Sequence, residues 1–162
     1  MDKTNNKTSN GVKKEVKNLE ELRAVAEDFL KDLIKKPKKE TATVVGLSGD
    51  LGAGKTAFTK CVASILGITD VVTSPTFILE KVYIITRGSL VGDRFTKLIH
   101  IDAYRLEDGK EMKALNWDDL LLDENNLIFL EWPGQVEGAL PDDMIKISFE
   151  YVGEGVRNVV LE

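Results

Sequence analysis

The sequence has one cysteine, one histidine and no long apolar run, and each shortage excludes a class of protein. With Cys61 alone no disulfide can form within the chain, which fits a reducing compartment, and we interpret Cys61 as a small core residue. His100 by itself cannot build a histidine-rich metal site. No stretch approaches the roughly 18 apolar residues of a membrane span, and we see no apolar signal core, so we expect a cytoplasmic protein.

The sequence also lacks an excess of positive charge, since 22 Lys and Arg stand against 27 Asp and Glu, for a net charge of -5. Proteins that hold nucleic acid by themselves need clustered Lys and Arg to neutralise phosphates. We therefore expect any link to RNA to be indirect, through a protein partner. The 162 residues suffice for one domain with its own core. We predict a polar, flexible tail at 1–16 and a single domain at 17–162.

Helix patterns and strand patterns follow one another along the rest of the chain. Asn18 and Glu21 have the spacing of a capping box, and apolar residues then recur at helical spacing up to Leu33. Helices mixed with buried strands predict an α/β fold of three layers, and consecutive strand patterns predict a mixed, partly antiparallel central sheet. Further helices are predicted at 55–66 and 107–122, and strands at 43–47, 77–85, 97–102, 127–131, 145–151 and 156–161.

A glycine-rich stretch stands between the first buried strand pattern and the next helix pattern. Gly49-x-x-x-x-Gly54-Lys55-Thr56 is a complete Walker A motif, with a strand before it and a helix after it. Glycines let successive backbone N–H groups turn towards an anion, and the helix N-terminus adds positive potential. Lys55 can reach the β- and γ-phosphates of a nucleotide, and the Thr56 hydroxyl can bind Mg²⁺. The motif predicts a P-loop NTPase fold whose nucleotide-binding segment comprises Gly49, Asp50, Leu51, Gly52, Ala53, Gly54, Lys55 and Thr56.

Two acidic residues follow apolar strand patterns and are candidates for the magnesium side of such a site. The run 127–130 leads into Glu131, and the run 98–101 leads into Asp102. Ligands of open α/β sheets collect at the carboxyl ends of the strands. Because its apolar run is uninterrupted, we favour Glu131 as the Walker B acid, and Asp102 is then a candidate to position water or a switch segment. Which of the two acids lies closer to Mg²⁺ stays open.

Three further features each allow more than one interpretation. The stretch 73–76 is either an ordinary turn or a sensor of the γ-phosphate that uses a hydroxyl of Ser74 or Thr76. His100 alternates with apolar neighbours, which is typical of a half-buried histidine that is neither base nor ligand. Trp132 directly follows the favoured Walker B acid and is either a core anchor or part of a contact surface beside the site.

Five motifs occur together, namely GDLGAGKT (49–56), TSPTF (73–77), HIDAYRL (100–106), LEWPGQ (130–135) and LPDD (140–143). In this combination the sequence resembles the TsaE family, formerly called YjeE, from about residue 16 to the end. Members of that family are small bacterial P-loop ATPases needed for the threonylcarbamoyladenosine (t6A) modification of tRNA. The Walker A motif alone would indicate only a superfamily, whereas the other four motifs are far more specific.

The resemblance implies roles for several residues of this chain. Lys55 and Thr56 would bind ATP and Mg²⁺, and Glu131 would be the magnesium-side acid. Asp102 corresponds to an aspartate that the family needs for activity. Thr76 would lie in a switch-like segment and complete the catalytic residues.

The resemblance also implies partners. Family members bind at the interface of the TsaB–TsaD heterodimer and hydrolyse ATP in its presence, and TsaD then transfers the threonylcarbamoyl group to tRNA. We therefore expect an ATPase that is slow alone, is stimulated by its partners and contacts tRNA only indirectly. Ser74, Trp132 and Arg105 are candidates for a switch or partner-facing surface. Arg157 is the candidate for an arginine that faces the phosphates of ATP.

Three other functions use a similar loop. A small-molecule kinase would carry a lid with several arginines, whereas the arginines here are dispersed along the chain. A GTPase would carry the guanine-reading N-K-x-D motif and a D-x-x-G switch motif, and both are absent from the sequence. A nucleotide-gated scaffold without turnover differs only in whether Asp102 and Glu131 reach the γ-phosphate, so this alternative stays open.

Overall fold

The computed structural model describes residues 11–73, 79–91 and 93–162, and within them strands and helices follow one another along the chain. The helices are α1 Leu19–Lys35, α2 Lys55–Ile65 and α3 Trp117–Leu122, with 3-10 helices at Gly109–Leu115 and Pro133–Ala139. The strands are β1 Val12–Val16, β2 Thr43–Ser48, β3 Glu80–Ile84, β4 Lys97–Asp102, β5 Asn126–Glu131, β6 Ile145–Gly153 and β7 Val156–Leu161. They form one seven-stranded sheet in the order β1-β7-β6-β2-β5-β4-β3.

Four parallel strands form the middle of the sheet. β6, β2, β5 and β4 are parallel neighbours, while β7, β1 and β3 pair antiparallel towards the two sides. The predicted α/β fold with a mixed, partly antiparallel sheet is therefore confirmed. Parallel strands end at the same edge, and Glu131 at the end of β5 lies beside Leu47 of β2 and Asp102 of β4. This register brings both predicted acids next to the loop that follows β2.

Helices cover both faces of the sheet, which confirms the three layers. On the face covered by α1 and α2, the rings of Phe29, Phe58, Phe129 and Phe149 form a cluster with centroids 5.5 to 6.4 Å apart. On the other face Trp117 packs with residues of the 3-10 helices. Because both faces are covered, β2 and β5 are nearly continuous buried runs.

Two local expectations can be compared with the structure directly. α1 begins at the predicted cap, because the Asn18 side chain accepts a hydrogen bond from the backbone N–H of Glu21 at 2.8 Å. The Glu21 carboxylate in turn accepts from the backbone N–H of Lys17, one residue before the expected position. Cys61 is buried, which confirms the core interpretation, and burial raises the pKa of its thiol. In the described ranges, every helix is too short or too polar to cross a membrane.

The predicted tail 1–16 is wrong for its last part. Val12–Val16 forms β1, which pairs antiparallel with β7 and places Val16 opposite Arg157. The side chains of this edge strand are exposed except for Val16, so its composition resembles that of a tail. What orders the segment is backbone pairing with a strand far along the chain, and composition does not show such pairing.

The predicted helix at 107–122 is also wrong, because the segment contains two shorter helices. Asn116 lies between them with a φ of 54°, and a left-handed residue cannot continue a right-handed helix. The predicted strand 77–85 begins later, since β3 starts at Glu80 and 77–78 fall outside the described residues. The 3-10 helix Pro133–Ala139 was not predicted.

Candidate nucleotide-binding site

The loop between β2 and α2 has glycines where its backbone requires them. Gly49, Gly52 and Gly54 have φ values of 145°, 77° and 115°, which residues with side chains rarely adopt. A Cβ atom on Gly49 would also lie 2.5 Å from the carbonyl oxygen of Phe149. The loop leads directly into the N-terminus of α2, where unpaired backbone N–H groups and the helix dipole favour an anion.

The side chain of Lys55 is turned back onto this loop. It is 5% exposed, and its ammonium donates hydrogen bonds to the carbonyl oxygens of Gly49 and Asp50. Its Nζ also lies 4.2 Å from the centroid of the Trp132 ring. Burial lowers the pKa of Lys55, and the nearby carboxylates of Glu131, Asp102 and Asp50 oppose that shift. A buried cation held mainly by neutral carbonyl groups is a favourable partner for an incoming phosphate.

Glu131 lies at the centre of the site's polar contacts. It is 3% exposed at the end of β5, and its Oε1 accepts a hydrogen bond from the Thr56 hydroxyl at 3.3 Å. Its Oε2 lies 2.8 Å from Nε2 of His100, which is completely buried. The favoured Walker B acid and the Walker A threonine are thus in direct contact.

Asp102 occupies the neighbouring position at the end of β4. It is 3% exposed and lies directly beside Glu131 in the parallel register. Its Oδ1 accepts a hydrogen bond from the backbone N–H of Tyr104 at 2.9 Å, so the start of the following loop fixes the carboxylate. The structure therefore brings both candidate acids to the loop.

A cleft of about 280 Å³ opens above these groups. Arg157 reaches it from β7 and donates to the carbonyl oxygen of Gly52 at 3.1 Å. Its Nε is buried and has no hydrogen-bond partner among the described residues. The cleft is lined by Leu51, Gly52, Gly54, Lys55, Thr56, Ala57, Asp102, Tyr104, Glu131, Trp132 and Arg157.

The predicted switch or partner-facing residues do not all lie at this cleft. Trp132 lines it with a left-handed φ of 60°, and its ring lies 5.1 Å from that of Tyr104. Arg105 is exposed beyond β4 and is not among the residues that line the cleft. Ser74 and Thr76 lie outside the described residues.

Sequence reasoning missed two features of the site. Tyr104 lines the cleft with 43% of its surface exposed, and its only signal was its position two residues after Asp102. His100 was interpreted as a half-buried histidine with its hydrogen bonds satisfied rather than a base or ligand, and its partner was not predicted. It is in fact completely buried and hydrogen-bonded to Glu131. Its place two residues before Asp102 on one strand face was the available signal.

The oxygen atoms at the cleft fit magnesium. Within the described ranges, no group of three or more His, Cys, Asp or Glu residues is arranged to hold a metal ion. Mg²⁺ is usually bound by one or two protein oxygen ligands together with substrate phosphates and water. The hydroxyl of Thr56 and the carboxylate of Glu131, in contact at the phosphate-binding loop, match that donor set.

A larger cavity of about 690 Å³ lies elsewhere, between the two 3-10 helices. Lys110, Trp117 and Gln135 are among its lining residues. The loop glycines, Asp102 and Glu131 do not line this cavity. Although the cavity is larger, the polar groups converge on the smaller cleft, which is therefore the candidate site.

The fold and the loop together define a P-loop-type protein, because a strand, a glycine-rich turn, a lysine and a helix N-terminus meet at the carboxyl edge of a parallel sheet. Comparison with known proteins is more specific. The sequence model of the family described as "Threonylcarbamoyl adenosine biosynthesis protein TsaE" matches residues 16–159. The chain belongs to this family, and the resemblance drawn from its motifs is confirmed.

Individual proteins that are similar to this chain support the same family. The tRNA threonylcarbamoyladenosine biosynthesis protein TsaE of Bacillus subtilis is 38% identical over 146 residues, which cover 88% of this chain and 79% of the relative. The protein of the same name from Streptomyces coelicolor is 40% identical over 109 residues, covering 66% and 68% of the two chains. The crystal structure of YdiB from Bacillus subtilis matches with a TM-score of 0.69 and 28% identity, over 95% of this chain and 86% of that one.

Proposed function

We propose that the chain is a Mg²⁺-dependent ATPase that serves the t6A modification of tRNA by acting on the TsaB–TsaD complex. The proposal of ATPase activity rests on one observation, which is that Lys55, Thr56, Asp102 and Glu131 line the same cleft. Membership of the family supports the t6A part, because the relatives are named tRNA threonylcarbamoyladenosine biosynthesis proteins.

The residues at the cleft suit hydrolysis of ATP to ADP and phosphate. Phosphoryl transfer depends mainly on positioning and on neutralising charge. Backbone N–H groups of the loop 49–54 and the ammonium of Lys55 would hold the phosphates. Thr56 and Glu131 would hold Mg²⁺, whose charge offsets that of the β- and γ-phosphates. Asp102 would orient the water that attacks the γ-phosphorus as the bond to the β-phosphate oxygen breaks.

A slow intrinsic rate follows from the scarcity of arginine at the cleft. Of the described residues that line it, Arg157 is the sole arginine, and one of its guanidinium nitrogens donates to the carbonyl oxygen of Gly52. In P-loop NTPases an arginine supplied by a partner contributes about 10³–10⁵ in rate. We therefore propose that TsaB–TsaD accelerates hydrolysis. The acidic net charge fits action through protein partners rather than direct binding of tRNA.

The first prediction concerns this acceleration. We expect slow steady-state release of phosphate from Mg²⁺-ATP by the purified chain and a rate at least about tenfold higher once TsaB–TsaD is added, because a partner group completes the charge neutralisation. A malachite-green phosphate assay measures both rates, with TsaB–TsaD alone as the blank. Equal, measurable rates would overturn the proposed stimulation by TsaB–TsaD. Bound ATP with no phosphate release in either sample would leave a nucleotide-gated scaffold and overturn the ATPase proposal.

A further inference from the structure

His100 is a buried polar residue that the proposed reaction does not use directly. It stands in the middle of β4, is completely buried, and is paired in register with Phe129 of β5. Strand alternation places it on the same face as Leu98, which belongs with Phe129 to the core beneath α1 and α2. A polar ring in such surroundings costs free energy unless it is hydrogen-bonded.

Among the described residues, a hydrogen bond joins the His100 ring to the site. Its Nε2 lies 2.8 Å from Oε2 of Glu131, and because a carboxylate can only accept, Nε2 is the donor. Its Nδ1 is buried and has no hydrogen-bond partner among the described residues. The donor of this buried ring is therefore directed at an acid that lines the cleft.

Glu131 is consequently held at both of its oxygen atoms. His100 fixes Oε2 on the core side, and Thr56 contacts Oε1 on the loop side. A glutamate side chain has several rotatable bonds, so a carboxylate held at one oxygen by a rigid ring presents the other in a defined direction. Groups that orient a metal-binding carboxylate in this way tune its affinity for the metal.

We propose that His100 is a positioning residue, which donates to Glu131 and thereby presents the second carboxylate oxygen to Thr56 and to magnesium. The inference rests on the proposed function, since it concerns the magnesium side of the same nucleotide site. His100 itself touches neither nucleotide nor metal.

The experiment measures the Mg²⁺ concentration that gives half of the Tm rise caused by a non-hydrolysable ATP analogue. His100→Leu keeps the volume and removes the donor, so we expect this midpoint to increase about 10- to 100-fold. His100→Gln can place an amide N–H near the position of the imidazole Nε2, so its midpoint should stay near that of the wild type. If His100→Leu does not fold, His100→Asn replaces it, because the shorter amide does not reach Glu131.

Ile99→Ala is the matched control. Ile99 is also buried in β4 but faces the other core, so its loss should lower the Tm without moving the Mg²⁺ midpoint. An unchanged midpoint in His100→Leu, or a midpoint in His100→Gln raised as far as in His100→Leu, would overturn the inference. If the wild type shows no Mg²⁺-dependent Tm rise at all, the proposed function fails, and this inference fails with it.

Discussion

Replacing Lys55 with alanine is expected to abolish the rise in Tm that Mg²⁺-ATP gives to the wild-type protein. A ligand that binds only the native state at 100 times its Kd adds about 2.7 kcal/mol of stability, which for a chain of this size is a Tm increase of about 5–11 °C. Lys55 is the buried cation of the loop 49–54, and its removal takes away the ammonium that is proposed to hold the phosphates. Differential scanning fluorimetry with and without Mg²⁺-ATP measures the effect.

Lys60→Ala is the matched control for this prediction. Lys60 lies on the same helix, α2, but is exposed and does not line the cleft. Its loss removes the same charge without touching the loop, so the full Tm rise should remain. A Tm rise in Lys55→Ala equal to that of the wild type would mean that the nucleotide binds elsewhere.

Replacing Glu131 with glutamine is expected to reduce Mg²⁺-dependent ATP turnover much more than nucleotide binding. Glu131 contacts Thr56 and is the acid that we propose to hold magnesium, and loss of even an outer-shell partner of a metal site costs about 10–100-fold. We therefore expect turnover to decrease by about 100-fold or more, while binding of ADP without magnesium stays nearly unchanged. Steady-state phosphate release and a fluorescent ADP titration measure the two quantities.

Two further variants show whether a loss of turnover is specific to Glu131. Glu137→Gln makes the same change at an exposed residue of the neighbouring 3-10 helix and should leave turnover intact. Asp102→Asn tests the second acid, because Asp102 lies beside Glu131 at the same sheet edge. Normal turnover in Glu131→Gln combined with a loss in Asp102→Asn would move the Walker B role to Asp102.

The loop and its acids could be predicted because their signals are local in the sequence. The spacing from Gly49 to Thr56 is a complete Walker A motif by itself, and Glu131 and Asp102 each follow their own apolar run. That both acids follow strands at whose carboxyl ends ligands collect was also predicted, whereas their position side by side in the register of β4 and β5 was not. The roles of these residues in catalysis remain predictions.

Two of the features that were missed depend on pairing between distant segments, and a third depends on one backbone conformation. The contact of His100 with Glu131 spans 31 residues and exists because of the register between β4 and β5. β1 is ordered by pairing that places Val16 opposite Arg157, near the other end of the chain. The break in the predicted helix 107–122 rests on one left-handed residue, Asn116, and an asparagine does not by itself indicate that conformation.

The most direct test of the account is multiple-turnover formation of t6A on tRNA by TsaB–TsaD in the presence of ATP, with the threonylcarbamoyl donor in excess. We predict that the wild-type chain raises the amount of t6A formed well above that made by TsaB–TsaD without it, and that Lys55→Ala does not, because the proposed function requires nucleotide binding at the loop 49–54. Equal product with the wild type, with Lys55→Ala and without the chain would contradict the account.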